Sequence, residues 1–415
     1  MKYLDYVCLN YNPKSSDLIC KFYLEARNIK EAAGAVASES STGTWTENVP
    51  GEISNLSAKV FKIRGNNVYI AYPIELFEEN NIPQILSSIA GNIFGMKILK
   101  NLRLEDIEIP KQIITKFKGP KFGISGIRKL LNVPSRPLVG TIIKPKLGLN
   151  AHEHSKRAFE AWLGGCDIVK DDENLGNQKF NSFEKRIKET LKLKKEAEKI
   201  TGEKKVYMPN ITAETEEMLK RARFVKQHGG TYVMVDVFSC GWSALQSLRK
   251  ENEKLNLVLH AHRAGHAALT RNEKHGISML VIAKLCRLIG LDQIHIGTII
   301  GKMEGGQEVR DIDQEIEKNL IKNNKHLLEQ DWHNLKPIFA VCSGGLSPRD
   351  VPFLVKNLGK NIIIQAGGGV HSHPSGTFAG AKAMRQAIEA STKNISLEIY
   401  AEKNKELETA LKFFK

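Results

Sequence analysis

From residue 137 onward, short β-branched runs alternate with longer amphipathic stretches. The runs are 138–143, 168–169, 206–208, 232–235, 257–260, 293–296, 338–341 and 362–364. The stretches between them carry apolar residues at helical spacing. In 183–200, Phe183, Ile187 and Leu191 share one stripe, Ser182 is the candidate N-cap and Gly202 lies just past the end. Eight strand–helix units in series predict a (β/α)8 barrel. A doubly wound open sheet would place Gly-x-Gly-x-x-Gly after its first strand, where this chain has Lys144-Pro145-Lys146.

The chain ahead of residue 137 has a different rhythm. Segments 17–26, 58–63, 68–72 and 102–109 read as strands, with Arg64-Gly65-Asn66-Asn67 as a hairpin signal. Segments 29–40 and 83–92 read as helices. The order βαββαβ is that of a ferredoxin-like unit. A basic Gly/Pro-containing stretch, 116–122, marks the boundary. The expected organisation is an N-terminal ferredoxin-like α+β domain, 1–118, followed by an α/β TIM barrel, 119–415, with a short C-terminal helical extension.

Composition excludes some classes. With 41% hydrophobic and 26% charged residues in 415, the chain fills a real core and is not disordered. No apolar run is long enough to span a membrane, and the first ten residues lack a secretory core. The net charge of +15 invites a nucleic-acid reading. The basic residues are scattered over amphipathic segments, however, and aromatic residues make up only 7%, too few for stacking platforms. The expectation is no nucleic acid and no membrane. Six dispersed cysteines with no Cys-x-x-Cys pair suit a reducing compartment, so a cytoplasmic location is expected.

The strand ends carry the candidate chemistry. Seven runs close on Lys144, Lys170, Asn210, Asp236, His262, His295 and Ser343, and the eighth on Gly367. In a barrel these ends meet at one mouth, where active sites are built. Lys170-Asp171-Asp172-Glu173 places three carboxylates in succession, which repel one another unless a cation intervenes. Hard oxygen donors favour Mg²⁺, although a solvated acidic loop would read the same way. Strand alternation sends Lys170 and Asp172 to one side. Lys144 and Lys146 are candidate acid–base groups or simple counter-charges. His260, His262 and His266 surround Arg263; without a soft third ligand, anion binding and proton transfer fit better than zinc, and His260 also reads as a core histidine. Lys302 sits among glycines on a loop that could deliver it over a substrate. Ser343-Gly344-Gly345 and Gly367-Gly368-Gly369 leave backbone N–H groups open to a phosphate. Together these point to a short sugar or polyol with a phosphate at each end.

The long motifs 141–149, 165–174, 260–263 and 301–305, with 39–45 and Gly91-Asn92, resemble the large subunit of ribulose-1,5-bisphosphate carboxylase/oxygenase. Segments 232–236 and 277–280 look most like the archaeal form III type. The resemblance implies addition of CO₂ and water to the enediolate of ribulose 1,5-bisphosphate, giving two 3-phosphoglycerates. It also implies a side reaction with O₂ and a role in AMP or nucleoside salvage. Lys170 matches the lysine that takes up an activating CO₂ as carbamate, and that carbamate with Asp172 and Glu173 matches the ligands of one Mg²⁺ per site. Lys144, His262 and Lys302 match catalytic residues: Lys144 the product-protonating acid, His262 a proton-transfer group, Lys302 the mobile-loop lysine. Lys146 matches an electrostatic support. Arg263 and His295 match one phosphate site. Thr44, Trp45, Gly344, Gly345, Gly367 and Gly368 belong with the other, and Ser343 matches a hydroxyl contact. Glu39 and Asn92 match residues donated by a partner subunit. A homodimer, or an assembly of homodimers with shared sites and no small subunit, is therefore expected.

Two other readings stand beside this one. A related protein could only enolise or isomerise a sugar phosphate, as in methionine salvage, yet Lys144, His295, Lys302, Glu39 and Asn92 are all present. A basic RNA- or phosphate-binding protein would need clustered basic and aromatic residues. The chain departs from the family pattern at Gly265 and Ala366, which are expected to loosen packing behind the phosphate sites, and in the charged segment 311–331.

Overall fold

The computed structural model describes residues 3–43, 51–300 and 306–414. They form two compact units. The first comprises Met1–Gly119, Gly265–Ile289 and Lys318–Leu335; the second comprises Pro120–Ala264, Gly290–Glu317 and Lys336–Lys415. Two segments from the middle of the chain thus group with the N-terminal unit.

In the first unit, strands β1 (Leu18–Glu25), β2 (Lys59–Arg64), β3 (Asn67–Tyr72) and β4 (Asn101–Glu108) join helices α1 (Ile29–Glu39) and α2 (Ile82–Ile89). The sheet runs β4-β1-β3-β2 with antiparallel neighbours, the ferredoxin-like order. Gly65 and Asn66 make the tight turn, Gly65 at a φ of 56°. A two-residue strand, Gly276–Ile277, adds a parallel edge beside β4.

The second unit holds eight strands: β5 (Leu138–Ile142), β6 (Ile168–Lys170), β7 (Val206–Met208), β8 (Tyr232–Asp236), β9 (Val258–His262), β10 (Gln293–Gly297), β11 (Phe339–Ser343) and β12 (Ile362–Gln365). Neighbours pair in parallel all round. A bridge between Asn210 and Met234 joins β7 to β8 and closes the ring. Helix α3 (Gly123–Leu131) packs Ile124, Ile127 and Leu131 against inward residues of the strands, including Ile168, Val206, Met234 and Ile363. That apolar plug fills one end and leaves the strand C-termini for polar side chains.

Helix α4 (Ala151–Leu163) follows the first barrel strand and begins with a capping box in which Asn150 and Glu153 bond reciprocally. Helix α5 (Phe183–Thr201) follows the second and ends on Gly202 at a φ of 70°, the left-handed stop that glycine favours. Ser182 occupies the N-cap position without a side-chain cap bond; Asn177 Oδ1 instead accepts from Phe183 N at 2.8 Å.

Candidate active site

Lys170 ends β6 fully enclosed, at 1% exposure. Its Nζ donates to the Asp171 carbonyl at 2.9 Å, lies 3.4 Å from Met234 Sδ and stands 3.6 Å from Glu173 Oε2. Burial lowers its pKa, against the raising pull of the nearby carboxylates. Asp172 faces the same side and accepts from Lys144 Nζ at 3.0 Å. Burial alone would raise its carboxyl, but bonds from Asn174 and Lys144 outweigh that and hold it below the usual range. Glu173 Oε2 lies 3.5 Å from His262 Nε2. The Lys170 amine therefore pairs with Glu173 and feels the charge of Asp172, and each of these carboxylates has a further cationic or imidazole neighbour.

His262 accepts from Ala264 N at Nδ1, which leaves the proton of the neutral ring on Nε2, toward Glu173. His295 is buried and its Nδ1 lies 2.7 Å from Ser343 Oγ. Burial, with the neighbouring His260 and His262, pushes its pKa well below the imidazole range, so it is a neutral hydrogen-bonding group. His260 lies deeper, as its strand position suggested. Its partner is a side chain rather than backbone: Nδ1 lies 3.0 Å from Gln293 Oε1.

The glycine clusters have backbone reasons to be glycine. Gly344 and Gly345 adopt φ values of 121° and 74°. A Cβ on Gly369 would stand 2.2 Å from the Leu346 carbonyl, and one on Gly367 would stand 3.2 Å from Lys144 Cε. Gly367 and Gly368 open the short helix after β12. Lys146 is exposed and Arg263 half-buried just past β9. Glu39 ends α1 and Asn92 begins a single 3-10 turn in the first unit, both exposed. Thr44, Trp45 and Lys302 lie outside the described residues.

Gly265 and Ala366 are the two small residues expected to loosen packing behind the phosphate sites. Gly265 has a φ of 81°, which glycine suits, and no heavy atom lies within 4 Å of where its Cβ would be. Ala366 is buried, with its N–H bonded to Gly140 and its carbonyl to Thr141 Oγ1.

The role of Asp171 did not show in the sequence. The first carboxylate of the three turns away from the other two and is fully enclosed. Arg186 Nε donates to it at 3.1 Å, Tyr207 Oη at 2.7 Å and Asn210 N at 3.0 Å, and His154 Nε2 stands 3.1 Å away. Burial alone would raise its pKa, but Arg186, His154 and Tyr207 bring it to about 2. Strand alternation was the one sequence signal that Asp171 faces outward. Nothing local named its partners.

Residues 123–414 match the family described as ribulose bisphosphate carboxylase large chain, catalytic domain, and residues 5–113 match the N-terminal domain of the same chain. The chain is 53% identical to the ribulose bisphosphate carboxylase of Methanosarcina mazei, over 98% of both chains. It is 51% identical to that of Methanocaldococcus jannaschii, over 99% of this chain and 100% of the other. Among solved structures it resembles a dimeric archaeal Rubisco from Hyperthermus butylicus, with a TM-score of 0.95 at 43% identity and 99% coverage of both chains. It also resembles an octameric Rubisco from Pyrococcus horikoshii, with a TM-score of 0.93 at 45% identity, covering 99% of this chain and 96% of that one. With both domains matched in order along nearly its whole length, the chain belongs to the ribulose bisphosphate carboxylase large chain family.

Proposed function

We propose that this chain is a ribulose-bisphosphate carboxylase that adds CO₂ and water to ribulose 1,5-bisphosphate and yields two 3-phosphoglycerates. The observation that carries the reading is the enclosed Lys170 amine, 3.6 Å from Glu173 and within the electrostatic reach of Asp172, at the strand end where the resemblance puts the family's activating lysine. Burial disfavours its ammonium form, and only the neutral amine can add to CO₂.

The residues present fit Mg²⁺ in one specific way. Among the described residues no three His, Cys, Asp or Glu side chains converge for a metal. Asp172 and Glu173 are one hard donor short, and the amine beside them is repulsive to a cation while protonated. Carbamylation of Lys170 by CO₂ replaces that positive charge with a third oxygen donor. Bound there, Mg²⁺ supplies electrostatic stabilisation to negative charge growing on the substrate's oxygens.

The chain's own residues take the remaining roles. Lys144, 3.0 Å from Asp172, is placed to hold a proton for the product carbanion. His262, bracketed by Glu173 and Asp236, serves proton transfer at the sugar. His295, Ser343 and Arg263 form one phosphate end, with Gly344, Gly345, Gly367 and Gly368 at the other. Lys146 lends charge nearby. Lys302, Thr44 and Trp45 complete the set by sequence match. Glu39 and Asn92, exposed on the first unit, suit donation to a partner subunit's site, so the working form is a homodimer or an assembly of them without a small subunit. The dimeric and octameric solved relatives support this. The oxygenase side reaction, a form III assignment, a place in AMP salvage and a cytoplasmic setting belong to the same reading. Among the described residues no helix is long and apolar enough to cross a membrane.

Incubation with Mg²⁺, labelled CO₂ and ribulose bisphosphate tests the proposal. Labelled phosphoglycerate is expected. Release of the C3 proton without fixed label would instead mark an enolising relative and overturn it.

A further inference from the structure

Three consecutive carboxylates at one strand end pose an electrostatic problem, and the structure divides the labour among them. Glu173 faces Lys170 and Asp172 pairs with Lys144, while Asp171 faces a closed polar cluster. That cluster is not an isolated ion pair. Arg186, itself fully buried, donates to Asp171 Oδ2 and also to the carbonyls of Gly176, at 2.8 Å, and Asn181, at 3.0 Å. These carbonyls belong to the loop that leaves Glu173. Asn210 N donates to the same Oδ2, while Asn210 Nδ2 donates to the carbonyls of Glu173 at 2.9 Å and Leu175 at 3.2 Å. Tyr207 Oη occupies Oδ1, with His154 Nε2 beside it. Asn181 Nδ2 in turn ties to the Leu149 carbonyl.

The backbone at Glu173, Leu175, Gly176 and Asn181 is thus tied, through one residue, to the Asp171 carboxylate. Its carbonyl also accepts from Lys170 Nζ, so both ends of this residue hold the site. A cation site of few protein donors depends on their spacing, and groups behind the ligands tune affinity by fixing it.

We infer that Asp171, braced by Arg186 and Tyr207, is a positioning residue that sets the spacing of Lys170, Asp172 and Glu173 and thereby their affinity for a divalent cation. The inference rests on the reading of this site as the carbamate-dependent cation centre.

The test measures binding rather than turnover. Full-length protein in bicarbonate is titrated with Mn²⁺, with free ion read by electron paramagnetic resonance; the carbamate is read separately by ¹³C NMR with Mg²⁺ and labelled bicarbonate. Wild type is expected to bind Mn²⁺ and show the carbamate resonance. Asp171→Asn is expected to weaken Mn²⁺ binding ~10–100-fold. Tyr207→Phe, which removes one hydroxyl, is expected to weaken it ~5-fold, the size of one hydrogen bond. Lys284→Met is the control, because it breaks a buried pair with Asp106 at 2.6 Å in the first unit and lowers stability without touching this site. It should bind as wild type does. Wild-type affinity in Tyr207→Phe and in folded Asp171→Asn would overturn the inference, as would equal weakening in Lys284→Met. If Asp171→Asn fails to fold, Tyr207→Phe decides alone. A wild type that binds no Mn²⁺ in bicarbonate would instead bring down the cation-centre reading, and the inference with it.

Discussion

Replacing Lys170 with methionine should make the metal-free protein more stable and catalytically dead. In CO₂-free buffer with a chelator, Lys170 is a buried amine whose pKa is depressed by burial. Its nearest carboxylate oxygen is 3.6 Å away, beyond a good charged hydrogen bond. Methionine has a similar volume and suits the adjacent Met234 sulfur. No carboxylate is abandoned, since Asp172 keeps Lys144 and Asn174 and Glu173 keeps His262. Exchange of buried ionic groups for apolar ones commonly stabilises by about 1–4 kcal/mol. The Asp171 carbonyl loses its bond from Nζ, worth about 1 kcal/mol. The net is a gain of up to about 3 kcal/mol, or up to about 5 °C in Tm for a cooperative unit of this size. The pH dependence has a definite sign. A folded-state pKa below the unfolded value means that the wild type carries its full stability only above the unfolded lysine pKa, and loses it as pH falls through the folded value. The gap between variant and wild type should therefore be wide near neutrality and close toward pH ~10. Scanning calorimetry across that range measures it, beside a carboxylation assay expected to read zero. A variant that melts below wild type at pH 7, or whose advantage does not shrink at high pH, would refute the reasoning.

Other outcomes follow from the same geometry. Asp171, with a folded pKa of about 2, adds stability that is complete above its unfolded value and is lost as pH falls from about 4 toward 2; chelated wild type should lose roughly 2 kcal/mol there by denaturant titration at stepped pH, and Asp171→Asn should lose less. Gly345→Ala forces a side chain onto a φ of 74°, so it should raise the KM for ribulose bisphosphate more than it lowers kcat, and an unchanged KM would remove that turn from the phosphate site. His295 should show neutral-imidazole ¹⁵N shifts at pH 6, because burial disfavours its charge; an imidazolium pattern would contradict this. Lys144→Met should abolish carboxylation while shifting Tm little, since Lys144 is partly exposed and its partner Asp172 keeps two bonds from Asn174.

How much of this was readable in advance depended on the range of the interaction responsible. Eight strands fall within one or two residues of where β-branched runs placed them, because burial on both faces of a parallel strand imposes an apolar run that nothing else in the chain mimics. The hairpin at Gly65-Asn66 and the stop at Gly202 were equally plain, since a left-handed backbone selects its own residue types. The candidate site residues were visible as polar groups ending apolar runs. Local chemistry by itself thus determined the barrel strands, their order and the polar residues that end them.

The tertiary structure decided what those residues are paired with. Asp171, Asp172 and Glu173 are alike as a string, yet Arg186, fifteen positions on, and Tyr207 on the next strand convert the first into an anchor and leave the others to Lys144 and Lys170. The same holds for His260, whose partner Gln293 lies on the neighbouring strand, and for the start of α5, where Ser182 holds the N-cap position as expected but the side-chain bond to the helix comes from Asn177. Backbone preference is set within a few residues and survives in a linear reading. The pKa of a lysine, the tautomer of a histidine and the role of a carboxylate are set by burial and by groups that only folding brings within hydrogen-bonding distance.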